Sequence, residues 1–401
     1  MIYTVLVILA VLIGWQGWEF WVAVGRQPRG ERLERCRQSP QWKDGERLRV
    51  GERSSGMFVN VHETPTLTGD DGFFGQMWKF LFGRVDNLKP GRDIPVVKTS
   101  LKDIPRSEEV CVWLGHSTVY IQTGGVRFLF DPVLTNKLPV WWFMRPFKGA
   151  DAYTTDDIPE VDYLIITHDH WDHLDWKTVT ALRDRVGQVV CSLGIGEHFE
   201  YWGYDPKKIH DLDWGDSIAV SSQFIVHSSS QSEAAEPSAQ LAAAQNNYEL
   251  GTMNYELKLR CLPTRHFSGR MGQHKTLWAS YLIDGPRRIF VSGDGGYDER
   301  FKQIGKQYPD IDLAIMENGQ YDEGWHYIHT LPRELPQAIS DLGAHRVLTY
   351  HNSKYALANH SWTEPLDSIY EHAKGQPWQL LTPRIGEPIR LNEQQTFEKW
   401  W

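Results

Sequence analysis

The chain has 401 residues, 41% hydrophobic and 23% charged, a globular composition long enough for one large domain with extensions or two ordinary ones. A formal charge of −9 leaves no basic footprint, which argues against nucleic acid as a partner. Cys36, Cys111, Cys191 and Cys261 form no CxxC pair, which excludes a disulfide framework and fits a reducing compartment.

Residues 1–25 are apolar from Ile2 to Ile13 and remain so to Val24, broken by Gln16 and Glu19. Trp15, Trp18 and Trp21 follow the apolar run, and Arg26, Arg29, Arg32, Arg35 and Arg37 come next. A spanning helix needs about 20 residues, which this stretch supplies only if Trp15–Val24 are included. Tryptophans at the boundary and arginines beyond it point to an uncleaved membrane anchor with the main domain on the cytoplasmic side. A secretory signal or a helix lying on the membrane surface are the other readings. Residues 26–100, rich in Arg, Gly, Pro and Asp, are expected to form an irregular extension packed on the main domain, which then occupies 101–401.

From Val110 onward short apolar runs alternate with turns: VCVWL, TVYIQT, RFLFD, DYLIIT, QVVCSL, SIAV and QFIVH. Their β-branched and aromatic content predicts strands. Asp175 is placed to cap a helix carrying Trp176, Val179 and Leu182 on one face. Thr330 and Pro332 start another, with Leu335, Ala338, Ile339 and Leu342 inward and Gly343 at its end. Strands in hairpins followed by strand–helix units suggest an α/β protein with two sheets and helices outside. The polar, small-residue stretch 228–245 reads as a surface insertion of low complexity.

The strand Val161–Ile166 leads directly into Thr167-His168-Asp169-His170-Trp171-Asp172-His173-Leu174-Asp175. Imidazole with carboxylate suits zinc-type ions. In extended chain His168 and His170 face the same way and can grip one ion, and the following turn swings Asp172 and His173 towards a second. Read alone, an HxH is more simply a polar loop; the full HxHxDH after a buried strand is not. Three further strand-like runs end in potential ligands: LKLRCLPTR at His266, RRIFVSG at Asp294 and HRVLTY at His351. Sites in layered α/β proteins collect beyond the carboxyl ends of strands. His266 would complete the first ion, His351 would join Asp172 and His173 on the second, and Asp294 could bridge both. Two cations about 3.5–4 Å apart can share a water, lower its pKa and stabilise charge on substrate oxygens. With no GxSxG motif and no cysteine ligand, direct hydrolytic attack by hydroxide bridging the metals is preferred over a covalent enzyme intermediate. Zinc is the expected metal, although iron or manganese can use similar donors.

These residues and their order resemble the metallo-β-lactamase fold superfamily. Within it the sequence is similar to the N-acylphosphatidylethanolamine-hydrolysing phospholipase D group. The likeness runs through Trp113-Leu114-Gly115-His116-Ser117, Asp131-Pro132-Val133, THDHWDHLD, RHFSGR, TLWASY, SGDGGY and YHNSKYALANHSWTEP, from about Val110 to Pro365. The resemblance implies a four-layer αββα sandwich, two zinc ions and phosphodiester hydrolysis on a lipid-like or amphipathic substrate, with Asp172 and His329 in catalytic roles. His329 also stands shortly before an expected helix N-terminus, where anions are favoured. His116 and His326 are further candidates for substrate contact, each equally readable as structural. The sequence departs from the group at Ile328, in the 228–245 insertion and in the N-terminal apolar segment. A lactonase or other ester or amide hydrolase of the same superfamily is the second enzymatic reading, and a non-catalytic metal-binding scaffold is the third.

Overall fold

The computed structural model describes residues 2–45, 56–68, 75, 78, 82–135, 144–221, 257–270 and 272–401. Within the first helix it describes the side chains of Tyr3 and Val11 and those from Ile13 onward. The run QFIVH and the expected insertion 228–245 lie outside the described residues.

In chain order the helices are α1 (Ile2–Val24), α2 (Gly30–Gln38), α3 (Trp176–Leu182), α4 (Gly196–Tyr201), α5 (Arg300–Gln307), α6 (Leu335–Leu342) and α7 (Glu364–His372). The strands begin with a small pair, β1 (Trp42–Lys43) and β2 (Met57–Phe58). There follow β3 (Val110–Trp113), β4 (Val119–Thr123), β5 (Val126–Phe130), β6 (Val161–Ile166), β7 (Val186–Ser192), β8 (Ile209–Leu212) and β9 (Ser217–Ala219). The chain continues with β10 (Lys258–Leu262), β11 (Ser280–Asp284), β12 (Arg288–Val291), β13 (Ile311–Glu317), β14 (Ala344–Tyr350), β15 (Gln379–Leu381) and β16 (Pro388–Arg390).

Two seven-stranded sheets carry the fold, ordered β16-β3-β4-β5-β6-β7-β8 and β15-β14-β13-β12-β11-β10-β9. Each combines antiparallel hairpins with parallel strands; β5–β8 run parallel in the first sheet, β12–β15 in the second. Period-two burial explains the layering. On β13, Leu313 and Ile315 enter the core that the second sheet shares with the first, while Ala314 and Met316 face the helices outside. The same alternation puts Ile289 and Val291 inward and Phe290 outward on β12. Phe301 and Ile304 of α5, Leu335, Ala338, Ile339 and Leu342 of α6 and Ile369 of α7 close the outer face. On the other sheet Val179 and Leu182 of α3 and Phe199 of α4 serve that purpose. The result is the αββα sandwich.

Asp175 caps α3 as expected, accepting from the backbone of Lys177 and Thr178. The helix expected from Thr330 starts later, at Leu335. Glu334 folds back to accept from the Leu331 backbone N–H, and Pro336 in the first turn needs no partner for a missing N–H. Gly343, at φ +65°, ends the helix in the left-handed conformation glycine favours.

Among the described residues no helix is long and apolar enough to cross a membrane, so the spanning anchor expected from residues 1–25 is not supported. The second half of α1 packs on the main domain. Gln16, Gly17 and Glu19 dilute its apolar run, and this half is held by protein. Both carboxylate oxygens of Glu19 accept from Lys177 Nζ at 2.9 Å, Phe20 stacks on Trp171 at 6.0 Å, and Trp202 Nε1 donates to the Val22 carbonyl. Gly25 turns the chain at φ +76°, where a β-carbon would collide with His198 Nδ1. Beyond it, α2 is tied to Asp211 by Arg32 and Arg35, and Cys36 packs with Phe58, Leu193, Leu277 and Trp278. The four cysteines are free and buried.

Candidate metal centre

Four strand ends build the site. β6 delivers His168, His170, Asp172 and His173; β10, β12 and β14 deliver His266, Asp294 and His351. The connecting backbone is unusual here. His116, Asp131 and His351 adopt φ of 50°, 41° and 66°, conformations that side-chain-bearing residues rarely take and that cluster at functional sites.

All seven predicted donors converge. His170 Nδ1 lies 3.0 Å from His168 Nε2 and 3.1 Å from His266 Nε2. Asp294 Oδ2 sits 3.9 Å from the Nε2 atoms of His168 and His266. The same oxygen is 3.2 Å from Nε2 of His173 and of His351. Asp172 Oδ2 lies 3.1 Å from His351 Nε2 and 4.0 Å from His173 Nε2. Two donors bound tetrahedrally at about 2.0–2.1 Å from one ion stand roughly 3.3–3.4 Å apart, so these spacings fit metal coordination. Asp294 faces both halves through Oδ2, while its buried Oδ1 has no hydrogen-bond partner. His170 Nε2 and His173 Nε2 are likewise buried without one.

The electrostatics agree. Burial holds the imidazoles of His168 and His266 well below their usual range and takes His170 to about 4. Burial acts against ionisation of Asp172 and Asp294 as well, but the surrounding histidines outweigh it and hold both carboxyls well below the usual range. At His173 burial is overcome by Asp294, Asp131 and Asp172, which raise it. The cluster is therefore a well for positive charge: the imidazoles of His168, His170 and His266 are held neutral, Asp172 and Asp294 are held ionised, and His173 is held towards its protonated form, whose proton a divalent cation would displace.

Two residues for which the sequence suggested no role, although Asp131 lies in one of the stretches that carry the family likeness, organise the donors. Asp131, fully buried after β5, accepts from Thr167 N, Thr167 Oγ1 and His173 Nδ1 at 2.8, 2.7 and 2.8 Å. Its bond fixes the His173 ring so that Nε2 points to Asp294. Glu317, the last residue of β13, accepts from Gly295 N and pairs with His329 Nδ1. The strand-end pattern that singled out Asp294 applied equally to Glu317. His266 is oriented by its Nδ1–H donating to the Ile328 carbonyl at 2.7 Å.

The remaining candidates separate. His329 stands at the edge of the cluster, its ring 5.2 Å from that of His266 and 5.7 Å from that of His351. Burial lowers its basicity, but Glu317 more than compensates and the net shift is upward. Its anchor is that carboxylate and not a helix N-terminus, since α6 begins only at Leu335. His116 is fully buried, with Nε2 3.0 Å from Asp172 Oδ2, so it braces Asp172 from behind; burial takes it down to about 3. His326 is not brought to the cluster. Its Nδ1 contacts the Glu323 carbonyl at 3.0 Å and Thr68 Oγ1 at 3.2 Å, and its ring packs on Tyr327.

Beside the donors lies a small buried apolar cluster. Trp171, between His170 and Asp172, packs with Val133, Met144, Tyr355 and Leu357.

A family profile described as a beta-lactamase superfamily domain matches residues 126–352. An uncharacterized protein of Mycobacterium tuberculosis is 29% identical over 374 residues, covering 91% of this chain and 88% of that protein. An N-acyl-phosphatidylethanolamine-hydrolyzing phospholipase D 1 of Caenorhabditis elegans is 27% identical over 276 residues, covering 65% of this chain and 68% of that enzyme. Among solved structures, a metallo hydrolase of the archaeon Ignicoccus hospitalis is similar at 16% identity and a TM-score of 0.49, over 71% of this chain and 98% of that one.

Proposed function

The chain belongs to the β-lactamase superfamily of metal-dependent hydrolases, and from that premise we propose that it is a di-zinc phosphodiesterase of phospholipase D type acting on lipid-like or amphipathic phosphodiesters. The observation that carries this reading is the convergence of donors from four strand ends on Asp294 Oδ2. His168, His170 and His266 would hold one ion, Asp172, His173 and His351 the other, with Asp294 common to both. Bound there, a pair of divalent cations would acidify a water and neutralise charge on the phosphodiester oxygens.

The protein's own groups supply the rest. Asp131 and the Ile328 carbonyl keep His173 and His266 aimed at the cluster. His329, held by Glu317 and only 13% exposed on its side chain, donates a proton to the leaving oxygen. The nematode relative, named for phospholipid hydrolysis, supports the substrate class. Membrane association through α1 belongs to the same reading.

The test is metal analysis of the full-length chain, purified in detergent, followed by parallel assays on an N-acylated phospholipid, a small phosphodiester and a lactone. Two zinc equivalents and preference for the phosphodiesters are expected. Lactone hydrolysis without phosphodiester hydrolysis would overturn the proposal.

A further inference from the structure

A cavity of about 720 Å³ lies between the end of α1, the start of α2 and the loop after β10. Arg26, Arg29, Arg37, Arg270 and Lys275 line it, and Asp169 is the carboxylate among its lining residues. Arg29 is neutralised by Glu197 and Arg37 by Glu34. Among the described residues Arg26 and Lys275 have no carboxylate partner. The Arg26 guanidinium lies over the ring of Tyr201 at 4.2 Å, and Lys275 Nζ donates to the Gly56 carbonyl. Together with Arg270 these cations outweigh Asp169, so the cavity is suited to an anion.

The helix above it presents the opposite character. Trp15, Trp18 and Trp21 are 55%, 51% and 64% exposed, and Val11 and Ile13 are exposed too. Glu19, the one charged residue of α1, is spent on Lys177. Large aromatics left in water beside an anion-accepting cavity match an anionic phospholipid bilayer in both respects: apolar surface for the tryptophans, headgroup charge for Arg26 and Lys275. A soluble phosphate would leave the α1 face without a partner.

The cavity wall is the reverse side of the metal loop. Arg270 Nε donates to the Asp169 carbonyl at 2.6 Å, and its other nitrogens donate to the carbonyls of Leu174 and Ala23. Its guanidinium lies over Trp171 at 4.3 Å, and Phe20 of α1 lies against the same ring. One side chain thus joins both ends of the HxHxDH segment to the end of α1.

We propose that α1 and this cavity dock the protein on an anionic phospholipid surface, an anionic headgroup occupying the cavity and the exposed tryptophans of α1 set into the bilayer. The inference deepens the lipid-phosphodiester reading, but docking itself requires no turnover, so the two fail separately.

Vesicle flotation with the full-length chain tests it, using phosphatidylcholine alone and phosphatidylcholine with phosphatidylglycerol. Each uncompensated cation at an anionic surface strengthens binding about fivefold, so Arg26 and Lys275 together predict roughly 30-fold stronger partitioning onto the mixed vesicles. The increment should vanish in R26E/K275E and, with unaltered protein, at high salt; replacing the three tryptophans by Ser should weaken binding to both vesicles. Equal partitioning of the unaltered chain would overturn the proposal, as would an increment that survives high salt. Release from mixed vesicles by inorganic phosphate at constant ionic strength would overturn it in favour of a soluble anion. A chain that discriminates the vesicles yet hydrolyses no phosphodiester would sink the enzymatic reading alone.

Discussion

Replacing Asp131 by Asn isolates the contribution of a carboxylate that touches no ion itself. Asp131 Oδ2 accepts from His173 Nδ1 at 2.8 Å, and its two oxygens also serve Thr167 N and Thr167 Oγ1. Asparagine keeps the shape and one acceptor, but its amide cannot offer a charged oxygen to the imidazole. A hydrogen bond to a charged group contributes roughly 1.5–3 kcal/mol, and here it also fixes which nitrogen of His173 faces Asp294. Asp131→Asn should therefore weaken metal binding by roughly one to two orders of magnitude, the range typical of residues that orient a ligand. Competition with a chromophoric chelator measures the affinity, and turnover at saturating metal separates binding from chemistry. Turnover should recover substantially as metal is raised. Unchanged affinity in a folded Asp131→Asn protein would refute the reasoning that His173 is a ligand held by this bond.

Glu317→Gln should slow hydrolysis of substrates with poor leaving groups by about 100-fold while sparing nitrophenyl phosphodiesters, because a good leaving group needs little proton donation from His329; steady-state assays on the two substrate types check this. Ile339→Ala, on the face of α6 buried against the second sheet, should destabilise the fold by about 2–5 kcal/mol in denaturant unfolding. Burial opposes ionisation of Asp284, but its bonds to Arg288 and Arg260 prevail and depress its pKa. Its contribution to stability is thus complete above the unfolded carboxyl pKa of about 3.9 and is lost as pH falls through the lower folded value, so Asp284→Asn should flatten the acid limb of a stability–pH profile. Chelation of the metal should abolish activity and lower Tm, since the ions bind only the folded cluster; calorimetry with and without chelator reads the shift.

Much of the candidate metal centre was legible in the one-dimensional pattern. His168, His170, Asp172 and His173 are close in the chain, and the strand-end positions of His266, Asp294 and His351 follow from apolar runs that stop where the ligand begins. The α6 face of Leu335, Ala338, Ile339 and Leu342 was legible for a similar reason, since helical periodicity is a local property. The start of that helix was not, because Glu334 and Leu331 settle it through a side-chain contact.

The relations that the tertiary structure alone decided are those between segments with no periodic link. Asp131 reaches His173 across the β5–β6 pairing, and Glu317 meets His329 because β13 ends beside the loop that precedes α6. Nothing local distinguishes His116, which packs behind Asp172, from His326, which turns towards Thr68. The apolar character of residues 1–25 was plain from composition, yet composition could not tell that Glu19 would find Lys177 or that Phe20 would cover Trp171. Residue type and spacing determine which donors and faces exist, because those depend on backbone geometry a few residues long. Which of them meet depends on sheet order and packing, and those are settled only when the whole core closes.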